Sequence, residues 1–473
     1  MIQRALLALA LLALSIIPAR AQEGPRGAFA GLAGKFGAKA AQVRLVTENT
    51  EAWALRWALL GRARQSIDST YFIIENDAFG RAFLGALVQK ARGGIPVRLM
   101  IDARGNGPLT KAHLDNDLLR AVASVPGVSV KVYNGIARAL LPGVFNPKIP
   151  LASNHDKFLI VDGEWVVMGG RNISKNYLAD PADNAQAYRD TDVVMRGGDV
   201  PVQARTAFED EFALPVARVV PAATEEDARD TLRELDVARR VMDERMHGML
   251  PRAAGTAGAL IETARDEVRA FPTLGTPVDD QPLASEVPAP VVVLDSHSMR
   301  GPGKDDIGPA VLALVDAAQS EIVIQNPYVV LSDEGRAALV RARRRGVAIR
   351  LYTNSSDTNN HTLTQVAFEA DLPALQRDIP GLEVRLYGGT RLVHSKTFVF
   401  DRQVAIVGTY NLDPLSADIN SEAVAVVDSP AFACRLALRV LRDVEDSGHA
   451  AERPTPLSRK LLTPLTRVLR PLL

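Results

Sequence analysis

Asn154-His155-Asp156-Lys157-Phe158-Leu159-Ile160-Val161-Asp162 decides the fold, because Val393-His394-Ser395-Lys396-Thr397-Phe398-Val399-Phe400-Asp401 repeats its pattern. Each copy reads His, one residue, Lys, four residues, Asp. Behind each, at the same offset, stand a glycine and then an asparagine: Gly169 with Asn172, and Gly408 with Asn411. The apolar run after each lysine is that of a buried strand. Residues two apart on a strand share a face, so each His–Lys pair is presented to one place. A nucleophile or proton carrier, a fixed cation and an amide donor are the groups needed to bind and break a phosphodiester.

Working outward, the flanking sequence repeats as well. Thr47 to Arg64 predicts a helix with Trp53, Trp57 and Leu60 on one side. Ser66 to Ile74 predicts a buried strand, Gly80 to Arg92 a helix stopped by Gly93-Gly94, and Val97 to Asp102 a second strand. Strand, helix, strand implies a parallel crossover and an α/β sheet. The same order restarts at Glu321 to Tyr328, Gly335 to Arg345 and Gly346 to Tyr352. The repeat is therefore a whole lobe. The expected architecture is α/β: two homologous lobes, each a mixed or mostly parallel sheet flanked by helices, related by a pseudo-twofold with the site at their interface. The lobes are placed at 46–215 and 289–450. Between them, 216–288 reads as a solvated helix of alternating charge, Thr224 to Met249, lying on or between the lobes, followed by a Pro-, Gly- and Ala-rich linker. Glu23 to Lys39, rich in Gly and Ala, reads as loosely ordered.

Composition narrows the function. The 473 residues carry 55 basic and 55 acidic side chains. A general nucleic-acid binder normally has a basic excess, so no nucleic acid is expected as partner. A single cysteine, Cys434, excludes an internal disulfide and a thiolate metal site. Arg4, the apolar run Ala5 to Ile17 and Ala19-Arg20-Ala21 have the order of a secretory signal over 1–21; an uncleaved anchor is the alternative. The tail, 451–473, is apolar and basic, which fits a segment lying in a membrane interface. Pro464 and Pro471 interrupt a helix there, and a tail packed on the protein's own surface is the other reading.

Together these residues resemble the phospholipase D superfamily with two His-x-Lys-x4-Asp motifs. Gly169-Gly170-Arg171-Asn172-Ile173, Tyr188-Arg189-Asp190-Thr191-Asp192, Asn326-Pro327-Tyr328 and Gly408-Thr409-Tyr410-Asn411-Leu412-Asp413-Pro414 are similar to bacterial cardiolipin synthases of the C type. The resemblance runs from about Leu59 to the C-terminus, apart from the middle linker. It implies a catalytic set of His155, Lys157, Asp162, His394, Lys396 and Asp401. His155 would attack phosphorus and His394 would do acid/base work, an order that the residues themselves leave open. Lys157, Lys396, Asn172 and Asn411 would hold the non-bridging phosphate oxygens in place of a metal, so neither metal nor cofactor is expected. Asp190 and Glu422 would orient the histidines. Asp162 and Asp401 fit a turn-holding role better than a chemical one.

Two departures stand out: Lys175 where an acid is common, and Asp413-Pro414-Leu415-Ser416 where an arginine is common at the third position. The expected activity is phosphatidyl transfer or phosphodiester hydrolysis on glycerophospholipids by an exported, membrane-associated monomer. The alternative is an exported nuclease of the same superfamily. A non-catalytic scaffold is opposed by two complete motifs.

Overall fold

The computed structural model describes residues 24–107, 116–135, 145–248, 258–275, 287–448 and 461–473. The signal-like segment 1–21 lies outside the described residues, as does much of the expected linker. No helix among the described residues is long and apolar enough to cross a membrane.

The first lobe runs α1 (Gly24–Phe36), β1 (Ala40–Val46), α2 (Asn49–Arg62), β2 (Ile67–Tyr71), α3 (Ala78–Arg92), β3 (Val97–Asp102), α4 (Asn116–Ala123), β4 (Val128–Tyr133), β5 (Phe158–Val161), β6 (Trp165–Gly169), α5 (Lys175–Leu178), β7 (Asp192–Arg196), α6 (Val200–Ala213), β8 (Ala217–Val219), α7 (Glu225–Met246) and α8 (Ala259–Arg269). The second runs β9 (Val287–Ser296), α9 (Ile307–Ala317), β10 (Glu321–Gln325), α10 (Asp333–Arg344), β11 (Ala348–Asn354), α11 (Thr362–Asp378), β12 (Glu383–Tyr387), β13 (Lys396–Phe400), β14 (Val404–Gly408), α12 (Pro414–Asp418), β15 (Glu422–Asp428), α13 (Pro430–Ser447) and α14 (Thr463–Leu469).

The strands form one sheet in the order β12-β11-β10-β13-β14-β15-β9-β1-β7-β6-β5-β2-β3-β4-β8. Apart from β8, this order is a palindrome of the two lobes about the antiparallel β1–β9 pair. The expected mixed sheet is present. Parallel pairing is confined to β2–β3–β4 and β10–β11–β12, where helical crossovers intervene. The strands after each His–Lys pair return by tight turns, so β5–β6–β7 and β13–β14–β15 are antiparallel.

Every residue of β5 and β13 is buried. Helices cover both faces of these strands, which is why their sequence reads as a solid apolar run rather than an alternation. One face of the first lobe packs under α2, α3 and α7, and the outer face of the second under α9, α10 and α11. Between them a single core draws on both lobes, with Phe158, Ile160, Val193, Val291, Val399, Val407 and Ala425 meeting Phe208 of α6 and Phe432 and Leu436 of α13. Side chains of this kind contribute about 1.5–3 kcal/mol each on full burial. The two lobes are one hydrophobic body.

Several segments depart from the sequence reading. Residues 23–39, expected to be loosely ordered, include helix α1, whose Phe29 is buried in the core of the second lobe. Of the two placements open to the charged segment 224–246, on a lobe or between the lobes, the structure shows the first. Its apolar stripe of Leu235, Val237, Val241 and Met242 packs into the first lobe's core, so within 216–288 this part belongs to that lobe. The dense charge hid a helix with one narrow buried face. Pro464 occupies the first turn of α14, where a missing N–H costs nothing, so it opens the helix instead of interrupting it.

Candidate functional site

His155 and His394 each stand just before or at the start of a buried strand, β5 and β13. The parallel bridges Asn154↔Ser421 and Arg189↔Val393 stitch the lobes together at these two points. The His155 N–H donates to Ser421 O (3.2 Å) and the His394 N–H to Arg189 O (2.7 Å). Backbone pairing across the interface therefore brings an acid of one lobe behind the histidine of the other. His155 Nδ1 lies 3.0 and 2.9 Å from the two carboxylate oxygens of Glu422. His394 Nδ1 lies 2.8 Å from Asp190 Oδ2. With each Nδ1–H engaged, each Nε2 carries the lone pair. Both histidines line one cavity of about 420 Å³, together with Asn172 and Asn411.

The lysines lie behind the histidines. The Lys157 ammonium donates to His155 O at 2.7 Å, and Lys396 donates to His394 O while its Nζ stands 2.9 Å from His394 Nδ1. Burial pushes Lys157 down to about 8 and Lys396 to about 7, although nearby carboxylates push back. Burial and the lysines push His155 well below its ordinary value. Burial and Lys396 push His394 to about 4, against the pull of Asp190.

The two acids differ. Burial raises Glu422 well above the usual carboxyl range; Lys157 and the Ser416 hydroxyl, 2.5 Å away, offset only part of this. Burial also acts on Asp190, but His394, Lys396 and Arg171 outweigh it and hold its carboxyl below the usual value. The site is a desolvated, cation-rich pocket, the electrostatics that a phosphate anion relieves.

Both asparagines stand in the cavity wall. Asn172 Oδ1 accepts from the Ile73 N–H at 2.9 Å, and its side chain also bonds Tyr177, its neighbour in the cavity wall. Asn411 has a buried carboxamide oxygen with no hydrogen-bond partner among the described residues. The glycines ahead of them permit close backbone approach. A Cβ on Gly170 would stand 2.1 Å from Asp190 Oδ1, and one on Gly408 2.3 Å from Ala423 O.

Asp162 and Asp401 are not brought to this place, which removes them from the catalytic set and agrees with the turn-holding role read for them. Each lies at the far end of its strand, five residues or about 16 Å beyond its lysine. Asp162 accepts the N–H groups of Arg64, Gln65 and Ser66. Asp401 accepts those of Gln319, Ser320 and Glu321. Both hold the turn that enters β2 or β10, and both adopt left-handed backbone, φ 56° and 52°. Lys175 faces solvent, whereas Leu415 lines the cavity.

Sequence reasoning missed four further wall residues, Phe72, Arg104, Tyr177 and His361, and gave no role to Tyr328 and Asp413, which it met only within matching strings. Phe72 packs edge-on against His155 and Tyr177 edge-on against His394. Apart from Tyr177 in the one-turn helix α5, these side chains sit at strand ends and in loops, and none of these places shows a periodicity that would mark them. Arg171 was visible only as part of a matching string. It is fully buried and donates to Thr47 O (2.8 Å), Asn49 Oδ1 (3.1 Å) and Asp190 O (2.6 Å), fixing the segment that carries Asp190.

A family model described as "Cardiolipin synthase, PLD-like domain" matches residues 57–197 and 311–443, one stretch in each lobe and more than half of the chain. The chain belongs to this family. Among curated relatives of the PLD-like chain, cardiolipin synthase C of Escherichia coli (strain K12) is 27% identical over 433 residues, covering 85% of this chain and 84% of the relative. Cardiolipin synthase A of Pseudomonas aeruginosa (strain PAO1) is 25% identical over 406 residues, covering 86% and 67%. Among solved structures, the crystal structure of phosphatidylserine synthase from Haemophilus influenzae Rd KW20 covers 95% of this chain and 99% of its own, with a TM-score of 0.65 at 14% identity. That likeness supports the two-lobed PLD-like fold.

Proposed function

We propose that the protein is a phosphatidyltransferase of phospholipase D type, which breaks a glycerophospholipid phosphodiester through a phosphohistidine and passes the phosphatidyl group to an alcohol. The observation that carries this reading is the pair of histidines facing one cavity, each held through Nδ1 by a carboxylate of the opposite lobe. His155 Nε2 would attack phosphorus while His394, raised from about 4 and protonated as the phosphate anion enters the cavity, gives its Nε2 proton to the departing alkoxide. The P–N bond forms as the P–O bond breaks, and the leaving alcohol departs neutral. In the second half, His394 takes the proton of the incoming alcohol, whose oxygen attacks phosphorus and releases His155. Splitting one displacement into two avoids an unassisted alkoxide at either step.

The unequal acids support this assignment of roles. A histidine that must become an imidazolium is best backed by a carboxylate held ionised, as Asp190 is. The nucleophile must stay neutral, and burial with the neighbouring cations keeps His155 so. Lys157 and Lys396, one layer behind the histidines, would supply positive charge toward the non-bridging oxygens, and Asn172 and Asn411 in the cavity wall would contact them. The family and the relatives named cardiolipin synthase favour a lipid alcohol, such as phosphatidylglycerol, as acceptor. The signal-like N-terminus favours an exported enzyme working at a membrane surface, where water is the competing acceptor.

The test is incubation of the purified protein with phosphatidylglycerol vesicles, with and without phosphatidylethanolamine and with chelator present, against a His155→Ala blank. Cardiolipin that disappears in the blank supports the transferase. Phosphatidic acid alone makes the enzyme a phospholipase. Identical traces for wild type and blank overturn the lipid reading.

A further inference from the structure

The C-terminal segment carries apolar surface that the protein's own core leaves uncovered. One face of α14 is internal: Thr466 is buried, and Leu469 and Leu473 pack with Val330, Leu363 and Ala367. The other face is not. Leu461, in the turn before the helix, is 73% exposed, Leu465 45% and Val468 77%. Their spacing places them in one stripe. Seven large hydrophobic side chains are exposed among the described residues, and these are three of them, so the exposure is clustered rather than scattered.

The stripe is held rigidly beside the cavity. Arg470 Nη1 lies 2.6 Å from Asp371 Oδ2, and its Nη2 donates to Leu331 O at 3.0 Å. The Leu415 N–H donates to Leu473 O at 3.2 Å. Leu415 is a cavity-lining residue of α12, and Thr364, near the start of α11, lines the same cavity. The segment therefore rests on two of the elements that wall the site. A second apolar group reaches out near α12: Lys148 stands 4.0 Å from Asp418, and Phe145, three residues earlier, is 91% exposed.

Charge chooses the occupant. Residues 457–473 contain Arg459, Lys460, Arg467 and Arg470 and no acid. Arg470 is held by Asp371, but Arg467 lies within the stripe, and an apolar stripe with such a cation complements an interface of acyl chains and anionic headgroups. Pro464 and Pro471 remove two backbone donors that insertion would otherwise leave unsatisfied.

We infer that Leu461, Leu465 and Val468, with Arg467, dock this rim of the cavity on an anionic phospholipid bilayer, bringing the site to its substrate. This rests on the lipid reading proposed above and adds where and how the surface is met.

The test uses the full chain and the variant Leu461→Ser/Leu465→Ser/Val468→Ser, whose exposed positions leave the core intact, with an unchanged thermal melt as the control. Sedimentation with phosphatidylglycerol or phosphatidylcholine vesicles measures docking. Turnover of dihexanoyl-phosphatidylglycerol below its micellar concentration measures the site alone. The triple variant is expected to lose roughly tenfold or more in vesicle partition and in turnover on vesicles, with turnover on the monomeric lipid unchanged. Arg467→Glu is expected to weaken phosphatidylglycerol binding and spare phosphatidylcholine.

Wild-type partition of the triple variant overturns the docking inference. So does a concentration-dependent dimer of the wild type, abolished in the triple variant, because the stripe would then meet a second copy. Failure of the lipid reading shows separately, as absence of turnover on the monomeric lipid whatever the vesicle binding.

Discussion

Asp190→Asn isolates the proton-transfer step from the attack on phosphorus. In the structure burial and Lys396 drive His394 to about 4, and the Asp190 charge and its 2.8 Å hydrogen bond are what oppose them. Asparagine keeps the shape but removes the charge, and its NH₂ can donate to Nδ1, which sends the imidazole proton to Nε2. His394 then neither becomes an imidazolium readily nor offers a lone pair to the incoming alcohol. General acid–base help contributes roughly 10²–10⁴, and loss of the orienting acid belongs at the upper end. The expected loss in kcat is about 10³–10⁴, or about 4–5.5 kcal/mol of barrier.

The assay compares two leaving groups in the first half-reaction. Phosphatidylglycerol expels an alkoxide that needs the proton. Phosphatidyl-p-nitrophenol expels a phenolate that does not, and its burst reports attack alone. Asp190→Asn is expected to retain the nitrophenolate burst rate within about tenfold while losing phosphatidylglycerol turnover almost completely. Glu422→Gln, behind the proposed nucleophile, is expected to slow both. Equal losses for both variants on both substrates would refute the division of labour, and the opposite pattern would exchange the roles of His155 and His394.

Binding of an inert phosphate analogue such as sulfate should take up protons at pH 6. The free His394 sits near 4; an anion in the cavity raises it, so affinity grows as pH falls from 7 towards 4. Calorimetry in buffers of different ionisation enthalpy measures the uptake, and buffer-independent heats would contradict it. Gly170→Ala should cost about 10²-fold in activity and lower the melting temperature, because the new Cβ would stand 2.1 Å from Asp190 Oδ1. Gly61→Ala, in a helix with nothing within 4 Å, is the control and should be neutral to stabilising.

Burial raises Glu211 from 4.5 to about 7. A buried acid raised in this way destabilises the fold progressively as pH climbs from 4.5 to 7 and by a constant amount above. Glu211→Gln should therefore stabilise by on the order of 3 kcal/mol at pH 8, at about 1.4 kcal/mol per unit, and by little at pH 4.5. Chemical denaturation at the two pH values reads the difference, and equal shifts at both would argue against it. Arg104→Gln, which removes a cation from the cavity wall, should raise KM for an anionic lipid about tenfold and change kcat less.

The readable part of the site was the part that repeats. His155, Lys157 and Asn172 occur in a pattern that His394, Lys396 and Asn411 duplicate, and their spacing on a strand puts them on one side without knowledge of any partner. Asp162 and Asp401 carried an equally regular signal with a different meaning, since a motif spacing does not distinguish a residue at the active end of a strand from one at the other end. Phe72, Arg104 and His361 had no pattern at all, because loop residues converge only when the lobes close. The helix Glu225–Met246 was misread because charge on its exposed faces outweighed a thin stripe of Leu235, Val241 and Met242.

The sequence by itself determined two α/β lobes, the strands that end in His and Lys, and the class of chemistry those groups perform, because periodicity and side-chain type are local properties. The tertiary structure alone decided that Glu422 stands behind His155 and Asp190 behind His394, each across the interface. That pairing depends on the β1–β9 junction and on the bridges at Ser421 and Arg189, contacts between segments hundreds of residues apart. It also decided that one acid is pushed up and the other held down. Burial and the placement of Lys157, Lys396 and Arg171 set those values, and they exist only once the two lobes have excluded water from the cavity between them.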